Sequence, residues 1–180
     1  SMRDLASRAG ITTPTVYAYF GSKNDIYDAM FGQAAADFAA RMAAPYPDEG
    51  PRENLVAGAR RFVGFCAEDV ARYQLLFQRT IPGFEPSPES YAYAVEALED
   101  ARRRLADNGI TEPRHVDMWT ALVTGLVDQQ ISNDPGGERW IGLIGETVDM
   151  FLAHCLQAPR RTSRNPSRGT TTSPRKGASK

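Results

Sequence analysis

Apolar positions recur at helical spacing along most of this chain, and the breaks between the runs divide it into elements. Ile26, Met30, Phe31, Ala34 and Phe38 fall at i, i+4, i+5, i+8 and i+12. That is one stripe on a helix of about five turns, ending before Pro45-Tyr46-Pro47. Pro51 opens the next helix at its first position, and Leu55, Ala59, Phe62, Val63, Phe65 and Cys66 give it a broad apolar face. Arg60 and Arg61 fall off that face, as solvated groups would. A short helix is expected over Val70–Gln78, carrying Tyr73, Leu76 and Phe77. The proline-rich segment Ile81–Pro88 then breaks the chain, as a pocket rim, a hinge or a plain connector. Ser87-Pro88-Glu89-Ser90 reads as a cap and first turn for a helix to Asp107, with Tyr91, Ala94, Val95, Leu98, Ala101 and Leu105 on one face.

Asn108-Gly109 stops that helix with a left-handed glycine. Thr111-Glu112-Pro113 starts another, striped by Val116, Trp119, Val123, Leu126 and Gln130, with a second face of Met118, Leu122, Gly125 and Ile131. After the turn Asn133–Gly137, a last helix is expected over Glu138–Leu156, apolar on more than one side. A terminal helix of that kind needs a partner beyond its own core. The spacing therefore predicts an all-α chain. Its final two helices either pair with a second copy as a four-helix bundle or bury themselves within one monomer.

The first thirty residues read differently. Two short helical patterns flank a tight turn at Gly10-Ile11-Thr12, the geometry of a helix-turn-helix. Thr13 precedes Pro14, which disfavours a helical Thr13 and suits the first helical position, so Thr13 is expected as the N-cap of a helix to Phe20. Its outer face carries Thr15, Tyr17 and Tyr19, polar-tipped groups that can reach phosphates or base edges. Ser22 then caps a further helix, with Asp25 in its first turn and Lys23 beside an anion-binding terminus. The structural alternative is an ordinary helical hairpin.

Ala6-Ser7-Arg8-Ala9-Gly10, Thr15-Val16-Tyr17-Ala18-Tyr19-Phe20 and Gly21-Ser22-Lys23 resemble the DNA-binding end of the TetR/AcrR family of one-component bacterial regulators. The resemblance fixes residue types at a dozen linked positions and covers about a quarter of the chain in detail. It implies that Thr12, Thr13, Thr15, Tyr17, Tyr19 and Lys23 contact DNA, with Arg3 on the preceding helix touching the backbone or a base edge. It also implies a dimer formed by 114–133 and 138–156, and a connecting helix that relays a ligand signal to the head. The family pattern begins with one more helix than these residues provide. Leu5, Ala9, Val16 and Phe20 are therefore expected to lack part of their apolar cover, and the chain to bind DNA more weakly than a form carrying that helix. The resulting domain plan is a head with its connecting helix at 1–43, a ligand-binding and dimerisation domain at 51–157, and a disordered basic tail at 158–180.

Composition adds an asymmetry. The 180 residues carry a net charge of −1, but all 22 acidic residues lie in 1–157 against 14 Arg and Lys, a local −8. The segment 158–180 has seven basic residues and no acid, a local +7, and too little apolar content to fold. Such a tail can add salt-sensitive attraction to DNA or do nothing. Arg102-Arg103-Arg104 ends a helix, where cations complement the dipole; a nucleic-acid patch is the competing reading. No apolar run approaches a membrane span and no signal peptide opens the chain, so a cytoplasmic protein is expected. Cys66 and Cys155 fall in apolar helical patterns as free thiols rather than a disulfide framework.

No catalytic constellation, metal set or cofactor motif is expected. His115 and His154 lie on separate helices without a nucleophile or ligand triad, and no phosphate-cradling glycine loop occurs. Phe62, Phe65, Tyr73, Phe77, Tyr91 and Trp119 could instead line an apolar small-molecule site, with Tyr91 and Gln129 as orienting groups. A filled core would use the same aromatics, and the expectation of a pocket comes from the family resemblance. The function expected is a ligand-responsive transcriptional regulator. It would be a repressor released from double-stranded operator DNA by a small hydrophobic or aromatic molecule. The alternative is a helical small-molecule-binding protein with a DNA-binding-deficient head; an all-helical enzyme has no residues to recommend it.

Overall fold

Side chains fix where the helices begin. Ser22 accepts from the Asp25 amide (3.2 Å) while the Asp25 carboxylate accepts from the Ser22 amide (3.0 Å), a reciprocal box that satisfies orphan donors of the first turn. Ser1 and Asp4 form the same box, Asp69 caps its helix through the Arg72 amide, and Ser87 through the Ser90 amide. In the computed structural model, which describes residues 1–46 and 49–156, these starts open all-helical structure. The helices are α1 (Met2–Ala9), α2 (Thr13–Tyr19), α3 (Lys23–Ala43), α4 (Pro51–Glu68), α5 (Val70–Phe77), α6 (Pro88–Asp107), α7 (Pro113–Asn133) and α8 (Ile144–Cys155). A 3-10 turn at Ile141–Leu143 leads into α8. Gln157 and the basic tail 158–180 lie outside the described residues. Among the described residues no helix is long and apolar enough to cross a membrane.

Two apolar clusters result. Met2, Ala6 and Val16 join α1 to α2, with Phe20 and Ile26 packed against them. Gly10 makes the intervening turn at φ 68°, a left-handed conformation that glycine adopts without a Cβ penalty. The larger cluster lies among α4, α5, α7 and α8 and reaches the end of α6. Phe65, Phe151, Ile144, Val63 and Val148 are buried at its centre.

Helix α3 runs from head to body and lies along α6. Asp28 accepts from the Ser87 amide (2.6 Å), the Ser87 hydroxyl (2.8 Å) and the Ser90 hydroxyl (2.9 Å). The amide bond from Ser87 is the main cause holding the Asp28 carboxyl below its usual range. Gly32 permits this approach, since a Cβ there would stand 2.9 Å from the Ser90 hydroxyl oxygen.

Two sequence expectations are corrected. Arg61 is not simply solvated: it donates to the Ala44 (2.6 Å) and Pro45 (2.9 Å) carbonyls, satisfying the end of α3. The last helix does not run from Glu138. The Gln130 side chain accepts from the Trp140 (3.0 Å) and Ile141 (3.2 Å) amides and donates to the Asp134 and Gly137 carbonyls. That set of bonds holds the segment before Ile141 as turns, and α8 begins only at Ile144. The arginine triplet of α6 is paired locally: Arg102 with Glu99 (2.5 Å), and Arg103 (3.3 Å) and Arg104 (2.5 Å) with Asp100.

Candidate nucleic-acid interface and ligand cavity

In the head, α2 buries Val16 at 3 % exposure against α1 and turns its other face outward, with Tyr17 55 % and Tyr19 79 % exposed. A tyrosine that exposed gains little from packing, so its ring and hydroxyl are available to a partner. Arg3, Thr12, Thr15 and Lys23 are exposed and Thr13 is half-buried. The cap is Thr12 rather than Thr13. The Thr12 hydroxyl oxygen accepts from the Thr15 amide (3.3 Å) and shares a 2.7 Å hydrogen bond with the Thr15 hydroxyl. Thr12 is extended (φ −85°, ψ 151°), so helical geometry begins at Thr13. The cap bond outweighs the preference of a pre-proline residue for extended backbone. Lys23 stands at the first position of α3, so a cation lies beside the Ser22 cap, just past the end of α2.

The body holds a partly open cavity of about 290 Å³, walled by α3, α4, α5, α6 and α7. Phe62, Phe77 and Trp119 line it. The rings of Phe38, Phe62 and Phe77 meet edge to face, with centroids 5.2–5.8 Å apart. The other four residues predicted for a ligand site point elsewhere. Phe65 is buried in the core under the Arg72 guanidinium, 3.8 Å from its ring centroid. Tyr73 donates to Asp128 at 2.7 Å, and burial together with that carboxylate raises its phenol pKa. Tyr91 lies on the outer side of α6, stacked on Phe31 and 53 % exposed, because the first turn of α6 faces α3 rather than the body. Gln129 is exposed and accepts from Asn133 at 2.8 Å.

Sequence reasoning missed Phe38, Met42, Tyr46, Asn54, Arg104 and Asn108 as cavity-lining residues. Phe38 was visible as the end of the α3 stripe. Tyr46 and Arg104 carried a weaker signal, an aromatic in a proline loop and a triplet of arginines. They are brought together by stacking: the Arg61 guanidinium lies 4.2 Å and the Arg104 guanidinium 4.1 Å from the Tyr46 ring centroid. His115 and His154 approach to 5.8 Å between ring centroids, but no group of three metal-ligating side chains occurs among the described residues.

Residues 1–30 match the family model of bacterial regulatory proteins of the tetR family. The chain is 24 % identical over 186 residues to the HTH-type transcriptional regulator Rv1816 of Mycobacterium tuberculosis, spanning 88 % of this chain and 76 % of the relative. The HTH-type transcriptional regulator Mb1846 of Mycobacterium bovis matches to the same extent. Among solved structures, the fold is similar to that of the TetR family transcriptional regulator PfmR from Thermus thermophilus. The TM-score is 0.64 at 19 % identity, covering 85 % of this chain and 87 % of that one. It is also similar to a protein of unknown function from Rhodococcus sp. RHA1, with a TM-score of 0.69 at 16 % identity over 86 % and 83 % of the two chains.

Proposed function

We propose that this chain, like the relatives it matches, is a DNA-binding transcriptional regulator of the TetR family, and that it is a cytoplasmic repressor released from its operator by a small hydrophobic or aromatic molecule held in the body cavity. The observation that carries this reading is the composition of the cavity wall. Ala35, Phe38 and Met42 belong to α3, the helix that leaves the head. A molecule filling the cavity therefore touches the element that sets the orientation of the head, and no intermediate relay is needed. Occupied and DNA-bound states compete for the position of one helix, so ligand and operator oppose each other by linkage.

On the operator, Tyr17, Tyr19, Thr15 and Thr13 take the major-groove side. Arg3, Thr12 and Lys23 take the flanking phosphates, with base-edge reading by Arg3 the alternative for that residue. The functional unit is a homodimer through 114–133 and 138–156. Met118, Leu143, Met150 and Leu156 are exposed apolar groups on these helices, and Gly125 and Gly142 open onto empty space where a second backbone can approach. Two heads would then enter successive major grooves about 34–36 Å apart on a palindromic site.

The test is selection of duplexes from a random library with the full chain, followed by anisotropy titration of the selected site. Tyr17→Ala and Lys23→Ala are expected to weaken binding at least tenfold. Met150→Arg is expected to abolish cooperative occupancy of two half-sites. Unaltered affinity in Tyr17→Ala and Lys23→Ala together would overturn the contact assignment.

A further inference from the structure

The Tyr46 hydroxyl is buried, and among the described residues no group meets it with hydrogen-bond geometry, although Arg61 lies close enough to act on it. Its surroundings explain why. Arg61 and Arg104 cover the two faces of the ring, but Arg61 directs its nitrogens to the Ala44 and Pro45 carbonyls. Arg104 donates to Asp100 (2.5 Å) and to the Met42 carbonyl (3.1 Å). Gly58 gives the ring room on α4: a Cβ there would stand 3.2 Å from Tyr46 Cε1 and 3.5 Å from the hydroxyl oxygen. Tyr46, Gly58 and Arg104 all line the cavity. An orphaned buried hydroxyl is costly to leave unmade, and the residue that carries it borders the space a small molecule would fill.

We propose that Tyr46 is the polar anchor of this cavity, donating its hydroxyl to an acceptor oxygen on a molecule with an otherwise apolar body, such as an aryl or alkyl ketone. The inference rests on the cavity being the ligand site. Arg61 and Arg104 bring positive charge to the same corner, offset in part by Asp100, which pairs with Arg104 and also lines the cavity. The hydroxyl is fully shielded, so the acceptor reaches it only as the Tyr46 ring shifts over Gly58. The hydrogen bond is then made only in the shifted state. A ligand can move a two-state equilibrium only by such differential affinity. Tyr46 is therefore both the specificity determinant and the point at which occupancy acts on α3.

The experiment compares two probes with one apolar body, valerophenone and pentylbenzene, by isothermal titration against the full chain. The wild type is expected to favour the ketone by about three- to tenfold, the range one net hydrogen bond supplies. Tyr46→Phe keeps the ring and its stacking. It is expected to reverse the preference, because the buried ketone oxygen is then left unpaired, to change pentylbenzene affinity less than ketone affinity, and to leave the thermal midpoint of the unliganded protein level or higher. Ala94→Phe, which places a ring in the cavity, is expected to remove binding of both probes while circular dichroism remains helical. A ketone preference that persists in Tyr46→Phe overturns the assignment of Tyr46 and leaves the cavity reading standing. Binding of neither probe to the wild type overturns both, and binding of both that survives Ala94→Phe places the ligand outside the cavity.

Discussion

The Asp28 carboxylate accepts hydrogen bonds from both the backbone amide and the hydroxyl of Ser87, a residue 59 positions away in sequence. This joint ties the helix leaving the head to the cap of α6, and α6 supplies the cavity residues Ala94, Ala97, Leu98 and Arg104. Asp28→Ala removes the acceptor of three hydrogen bonds, from the Ser87 amide and the Ser87 and Ser90 hydroxyls, and is expected to cost about 1–2 kcal/mol in urea melts. The pH dependence has a definite sign. The folded carboxyl titrates below the ordinary aspartate value of about 3.9. Its stabilisation is therefore complete above that value and is lost as pH falls through the lower folded-state value. The wild-type advantage over Asp28→Ala should be flat from pH 5 to 8 and shrink in more acidic solution. An advantage that grows toward acid would contradict the geometry.

Arg61 and its neighbour Arg60 make a paired test. Arg61 is the donor to the terminal carbonyls of α3, whereas Arg60 is exposed. Arg61→Met is expected to destabilise the fold by about 1–2 kcal/mol, because it leaves those carbonyls without their charged partner. Arg60→Met should stay within about 0.5 kcal/mol, as surface substitutions usually do. Chemical denaturation of the two variants side by side checks the difference.

Burial pushes the Cys66 thiol up to about 12. At pH 8 only about one such thiol in ten thousand would be ionised, and the thiolate is the reactive species. Cys155 is half-buried, and burial raises it as well. Iodoacetamide is expected to leave Cys66 unlabelled in the native protein over hours, to label Cys155 slowly and to label both at once in urea. Mass spectrometry of the digested protein reads the outcome.

Phe65 and Phe77 separate core from cavity wall. Phe65 is 2 % exposed inside the core, while Phe77 is 38 % exposed and lines the cavity. Phe65→Ala is expected to cost about 3–5 kcal/mol, the range for deleting a buried aromatic, and Phe77→Ala distinctly less. Phe77→Ala should instead change probe affinity.

Much of the architecture was legible because periodicity and capping are local. The α3 stripe, the Ser22 box and the Ser87 cap each lie within a few residues, and the structure follows them. The ligand wall was less legible. Phe65 and Phe62 lie three residues apart on the same apolar face of α4, yet only Phe62 lines the cavity. The helical period marks a face as buried but does not say which neighbour covers it. Tyr91 carried the right chemistry at a helix start that faces α3, and Gln129 lies on the exposed side of α7. Tyr46 could not be assigned from a proline-flanked loop, because its surroundings come from arginines 15 and 58 positions downstream. On α2, the step from Thr13 to Thr12 as cap was a contest between two local preferences that differ by little energy.

Gln130 carries a consequence for how the chain breathes. A single side-chain amide holds the Trp140 and Ile141 amide protons and two carbonyls of the preceding turn, beside backbone turn bonds from Gly137 to Asp134 and from Gly142 to Glu138. Amide protons in such a turn ordinarily exchange quickly with solvent deuterium. Here those of Trp140 and Ile141 should exchange as slowly as protons within regular helix, and Gln130→Ala should release them together. The corner leads directly into α8, whose Ile144, Val148 and Phe151 reach the centre of the core. Opening it would therefore loosen the beginning of α8 before the rest of the body, making one glutamine the kinetic gatekeeper of the terminal helix.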